Sequence, residues 1–379
     1  MIEQLARLLD HIDTIVDERR QAEIDELYRR TLTWRPVPRL PIVFSYPLPD
    51  DFPFPPFPHS QTFDDPEKML HNELVHAWGT SIACRDRVGD DLPLTIRANF
   101  GTVIIASLFG GRVEQVEENP PWARPFESLD AFRAALERDP LDFTRGWCPR
   151  VEERYGFYRE TLSAYPRLSG LIRLCLPDLQ GPLDNVELLR GSDVFVDLYQ
   201  APDRTDEALE RAALAQVGFA RHLQPTVSDG DGRNPEICHQ HGVALPGRIL
   251  IRNDTPIMMS AEMYERQIAP HDERVLREMG GGGLHACGRF EHLCPPFLEL
   301  ESSTCIDFGQ PEMNDIDAVY AMAASRKAPL IRIRVPERQL VDGSVMRRFP
   351  TGVVLTHQAD SLDEAGRIMK AYRRSTEGA

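Results

Sequence analysis

The sequence predicts an α/β fold, a closed (β/α)8 barrel preceded by an N-terminal helical extension, and three observations carry that reading. Short, continuously apolar runs alternate with longer segments of helical periodicity, as parallel strands covered by helices require. The runs number eight: Ile42 to Tyr46, Leu94 to Ala98, Leu171 to Leu176, Ile249 to Asn253, Gly283 to Cys287, Leu298 to Thr304, Leu330 to Val335 and Val353 to His357. No G-x-G-x-x-G or Walker sequence follows an early strand, which tells against the competing architecture, a doubly wound nucleotide-binding sheet.

Taken in order, residues 1–35 form the extension. Leu5, Leu8, Leu9, Ile12, Ile15, Val16, Ile24 and Leu27 recur near helical spacing with charges between them, so one amphipathic face has a surface to cover. Residues 36–379 form the barrel. Its first strand lies in a proline-dense stretch from Pro36 to Pro58 that must stay extended or turning, and the phenylalanines there either pack the loop down or offer a docking surface. Helical patterns follow at 66–79, 126–137, 149–165, 203–222, 258–279, 314–325 and 361–375, several opened by capping residues such as Ser128, Ser260 and Asn314.

Composition narrows the function. Fifty-nine acidic against 43 basic side chains give a formal charge of −16, which repels nucleic-acid backbones and anionic membranes. No long uncharged apolar stretch spans a bilayer and the N-terminus carries no secretory pattern, so a cytoplasmic protein is expected. The 7 cysteines are an odd number, and in a reducing compartment they read as thiols or ligands, not disulfides. Oligomeric state has no signature.

In a barrel, catalytic groups gather where strands end. The strand ends here offer Asp178 and Gln180, then Arg252, Asn253 and Asp254, then His285 and Cys287, then Glu301 and Cys305 followed by Asp307 and Gln310, and last His357. Within GGGGLHACGRFEHLC (280–294) the glycines end a helix, and His285 and Cys287, two positions apart, share one strand face. Imidazole and thiolate suit zinc, although a buried cysteine beside a hydrogen-bonded histidine needs no metal. Arg252 suits an anionic substrate, with Asp254 as its partner or as a proton acceptor, and Glu301 as a second acid or base. His241, Arg289, Gln180 and Gln310 are further candidates for substrate binding.

The stretch IRNDTPIMMSAEMYERQIAPHDERVLREMGGGGLHACGRFEHL resembles the uroporphyrinogen decarboxylase superfamily. The resemblance rests on Asp254, Ser260-Ala261-Glu262, Tyr264, Pro270 and His285-Ala286-Cys287-Gly288, supported by LPDLQGPLDNVELLRG upstream and GQPEMNDID downstream. It implies a (β/α)8 barrel and one of two chemistries. The arginine-rich N-terminal signature of the haem-pathway decarboxylases is missing, which disfavours that branch. The other branch comprises cobalamin-dependent methyltransferases, in which zinc on His-x-Cys and a distant cysteine activates a thiol that takes a methyl group from a corrinoid protein. This chain has no cysteine after Cys305. The resemblance therefore implies zinc on His285, Cys287 and His357, with Cys305 as the alternative ligand, or no zinc at all. The expected activity is methyl transfer to a small thiol or hydroxyl acceptor, with a corrinoid protein as partner. The rivals are a metal-independent decarboxylase or lyase acting on a small acid, and a non-catalytic subunit that binds a corrinoid or another ligand.

Overall fold

A computed structural model describes residues 1–76, 79–228, 236–240 and 242–376. The extension forms two helices, α1 (Glu3–Ile15) and α2 (Glu18–Leu32). Leu5, Leu8, Leu9 and Ile12 are the buried stripe of α1, as the periodicity predicts. Asp17 starts the second helix, its carboxylate accepting from the backbone N–H groups of Arg19 at 2.9 Å and Arg20 at 3.3 Å.

Eight strands follow in chain order and position the site: β1 (Ile42–Ser45), β2 (Thr95–Ile96), β3 (Arg173–Leu174), β4 (Ile249–Arg252), β5 (Gly282–Ala286), β6 (Ser303–Phe308), β7 (Leu330–Ile333) and β8 (Val353–Gln358). Six of them make one parallel sheet in the order β1-β8-β7-β6-β5-β4, while β2 and β3 pair, also in parallel, with each other. The fold is thus mixed α/β around a parallel sheet. Among the described residues no ladder joins β1 to β2 or β3 to β4.

The outer edge of β1 is satisfied by carboxylates instead of a strand. Asp90 accepts from Phe44 N at 2.9 Å and Asp91 from Ile42 N at 3.1 Å, and Asp91 N donates to the Ile42 carbonyl. Asp91, fully buried, is also gripped by Arg39 at 2.7 Å and by Arg20 of α2 at 2.8 Å. Burial pushes its carboxyl up, but the two guanidiniums outweigh burial and hold it below the usual range. One carboxylate therefore ties the extension to the sheet. Asp91→Ala is expected to destabilise the chain by about 3–5 kcal/mol, because two guanidiniums lose their counter-charge; urea denaturation measures this. Since the folded-state value is depressed, the contribution of Asp91 is present above the unfolded value near pH ~4 and is lost as pH falls through the folded value.

Two local expectations are corrected. The run Leu298 to Thr304 is not a strand: residues Cys294–Glu299 are helical, opened by prolines in the first turn, and β6 starts only at Ser303. A short apolar run has no period to separate the two states. The helix expected over 258–279 is two, Ala261–Gln267 and Ala269–Met279, split where Pro270 cannot continue the ladder. Two antiparallel hairpins, Arg112–Glu114 with Trp122–Arg124 and Ile237–Gln240 with Val243–Pro246, lie between the strands of the sheet. In the proline-dense stretch, Phe52 and Phe54 are buried and Phe54 packs against His11 of α1. The glycine run behaves as expected: Gly280 caps its helix in the left-handed region, and a Cβ on Gly282 would lie 2.2 Å from the Ile249 carbonyl oxygen, so no side chain fits there between β4 and β5.

Candidate metal and anion site

Register builds the site. Arg252 of β4 pairs with His285 of β5, and His285 with Asp307 of β6, so three ionisable side chains stand side by side at neighbouring strand ends. Arg332 joins them by a different device. The β7–β8 register shifts around it and its backbone takes φ 62°, a bulge that turns its guanidinium onto Asp307.

Asp307 is buried. Burial pushes its carboxyl up, yet Arg332 and His285 outweigh this and hold it ionised, below the usual range. An ionised carboxylate only accepts, so the 2.7 Å contact with His285 Nδ1 fixes the proton on Nδ1. Burial, then the Arg252 charge, pushes the His285 imidazole down and keeps it neutral. Its Nε2 lone pair therefore faces the cavity. Two donors converge on it: the Cys287 thiol at 3.4 Å and Arg252 Nη2 at 3.2 Å.

Cys287 lies just beyond β5, and burial followed by the Asp254 carboxylate pushes its thiol up to about 11. It is protonated at neutral pH unless a cation replaces the proton. Gly309 gives the sulfur room, since a Cβ there would sit 2.7 Å from Sγ. Asp254 accepts from Cys287 N at 2.7 Å and lies 3.8 Å from His285 Nε2. Its own loop is pinned from behind by buried Asp184, which accepts from the amides of Asp254 at 3.0 Å and Thr255 at 3.1 Å. The donor atoms of Asp254, His285 and Cys287 all lie within 4.8 Å of one another. This is a nitrogen, sulfur and oxygen set of the kind zinc accepts, with room for a further ligand.

The cluster opens on a cavity of ≈ 280 Å³ whose wall includes Arg252, Arg332, Arg334, Gln310 and His357. Asp178 fastens Arg252 at 3.1 Å, with Arg97 at 4.0 Å beyond it. Arginines at the rim suit a small anion.

The sequence candidates separate accordingly. His285, Cys287, Arg252 and Gln310 meet at this cavity, with Asp254 beside the first two; the Gln310 side-chain oxygen Oε1 accepts from Gly288 N. His357 lines the same cavity, edge-on to Phe44 at 5.5 Å, but lies outside the three-donor cluster. Cys305 is buried beneath it, its sulfur 2.5 Å from where a Gly283 Cβ would be. Gln180 does not line the cavity; it is buried at φ 54° and donates to Asp178 at 2.7 Å, a supporting contact. Arg289 is exposed and paired with Glu291 at 3.0 Å. Glu301 is exposed on the turn before β6, at the end of the strand away from the site. His241 lies outside the described residues. Glu301→Ala and Arg289→Ala are accordingly expected to leave metal affinity within about threefold of the wild type, by competition titration.

Asp307 and Arg332 carry more of the site than the sequence assigned to them. Asp307 was in view as a residue beyond a strand end. Arg332 had no signal, because LIRIRV reads as plain alternation and hides the bulge.

No family model and no curated protein matches this chain. Among solved structures it is similar to a methyltransferase from Methanosarcina mazei, at TM-score 0.63 and 15% identity, over 93% of this chain and 98% of that one. At that identity the likeness is one of fold. No helix of the described residues is long and apolar enough to cross a membrane.

Proposed function

We propose that the chain is an enzyme of methyltransferase type that works with zinc on Asp254, His285 and Cys287. The carrying observation is the convergence of these three donors, two of which, His285 and Cys287, stand in the wall of a cavity lined by arginines. The resemblance of the His-x-Cys segment and the shared fold both support it. In the same reading β2 and β3 close the gap between β1 and β4, completing a (β/α)8 barrel of the uroporphyrinogen decarboxylase type.

Zinc, when bound, lowers the pKa of a thiol or hydroxyl acceptor. The chain's own residues do the rest. Asp307 holds the His285 proton on Nδ1 and leaves Nε2 unprotonated, so that it can serve as a ligand atom. Arg252 and Arg332 hold the anionic end of the substrate, while Asp178 and Asp307 keep the two guanidiniums in place. The exposed edge of Asp254 accepts the acceptor's proton when it is not engaged as a ligand. His357 is the next donor on the same wall. A corrinoid protein is the methyl donor this reading calls for.

The test is metal analysis of the purified protein, followed by methyl transfer from methylcobalamin to small anionic thiols. One zinc per chain and thiol methylation support the proposal; metal-free protein that gains no activity with zinc opposes it. One contact favours a metal-independent decarboxylase or lyase: Arg252 Nη2 already engages His285 Nε2 at 3.2 Å. In that case a small carboxylic acid loses CO2 and zinc has no effect.

A further inference from the structure

A roomier cavity, ≈ 380 Å³, lies apart from the site, among the helices Leu129–Leu136, Pro182–Arg190, Asp193–Gln200 and Pro202–Leu223. This volume is within the range of small-molecule sites. Leu129, Phe132, Leu136, Val186, Val194 and Ala208 form an apolar part of its wall, and charged side chains form the rest.

The charged groups on it are not equivalent. Arg190 is committed to Asp197 at 2.7 Å and to Asp193 at 2.6 Å. Glu137, Glu207, Arg133 and Arg204 also line it but are exposed at the rim, where water screens them. Arg211 differs. It is half-buried, its Nη2 donates to a neutral acceptor, the Arg138 carbonyl, at 2.6 Å, and its Nε–H is buried without an acceptor among the described residues. An unmatched donor on a partly desolvated cation costs free energy that a carboxylate recovers through charge-assisted hydrogen bonds.

We propose that this cavity is a second ligand site, for a small amphipathic carboxylate whose apolar chain fills the helical walls and whose carboxylate meets Arg211. Nothing in the zinc reading is required for it. The apolar walls set the tail, and the guanidinium sets the sign of the head group.

Calorimetric titration with sodium octanoate tests it on the full chain. The expected result is saturable binding at one octanoate per chain, weakened at least tenfold in Arg211→Met and abolished in Ala208→Phe, which fills the cavity. Octylamine, with the same chain and the opposite charge, is expected not to bind. Absence of saturable octanoate binding, equal affinity in Arg211→Met, or equal binding of octylamine overturns the proposal. The octanoate and octylamine comparison uses the wild type alone, so it decides the matter even if a variant fails to fold.

Discussion

Cys287→Ala is expected to lower zinc affinity by about a thousandfold and to remove its pH dependence. A complete protein zinc site is worth roughly 10–16 kcal/mol, so one thiolate of three protein ligands accounts for several kcal/mol, and ~1.4 kcal/mol is a factor of ten. The pH dependence follows from the thiol. Without metal it is pushed up to about 11, so at neutral pH each zinc that binds must release one proton. Apparent affinity in the wild type therefore rises about tenfold per pH unit between pH ~6.5 and ~8.5, because protons compete with the metal. His285 adds nothing to that slope, since burial and Arg252 already keep it neutral. In Cys287→Ala the slope flattens. Competition titrations against a chromophoric chelator at several pH values measure both effects; an unchanged slope in the variant contradicts the assignment of the thiol as ligand.

Asp307→Asn tests the layer behind the ligands. In the wild type an ionised Asp307 accepts the His285 Nδ1 proton at 2.7 Å. An asparagine amide can donate instead, which moves the ring proton to Nε2 and removes the lone pair that faces the cavity. Zinc affinity is expected to fall by about 10–100-fold, the usual effect of losing a carboxylate partner of a ligating histidine. Arg332 loses its counter-charge at the same time, so a loss of several kcal/mol of stability is expected alongside. The tautomer separates the two effects: ¹⁵N NMR of the imidazole should show protonated Nδ1 in the wild type and protonated Nε2 in the variant. A variant that keeps the wild-type tautomer and binds zinc tenfold or more weakly would assign its loss to packing and contradict the proposed role.

The sequence made the outline of this molecule legible where its physical signals are local. The α1 stripe, the alternation of strands with helices, and the pairing of His285 with Cys287 all follow from periods of 3.6 and 2 that can be counted. Asp254, at a strand end three residues past Ile251, lies beside that pair in the structure. What failed was register. Placing the sixth strand at Leu298 made Glu301 its functional end, whereas the strand begins at Ser303 and ends in Asp307 and Phe308. A shift of a few residues thus exchanged an exposed turn for the buried partner of His285. Arg332 was beyond reach for another reason, since a bulge depends on the neighbouring strands and leaves no mark on the segment itself. The seams of the sheet were equally hidden: carboxylates of Asp90 and Asp91, not a strand, meet the edge of β1.

X-ray absorption spectroscopy at the zinc edge of the zinc-loaded protein is the most direct test of the central claim. The account predicts one sulfur near ~2.3 Å together with nitrogen and oxygen near ~2.0–2.2 Å, and loss of the sulfur shell in Cys287→Ala. A first shell of oxygen and nitrogen alone in the wild type, or a sulfur shell that survives in that variant, would contradict it.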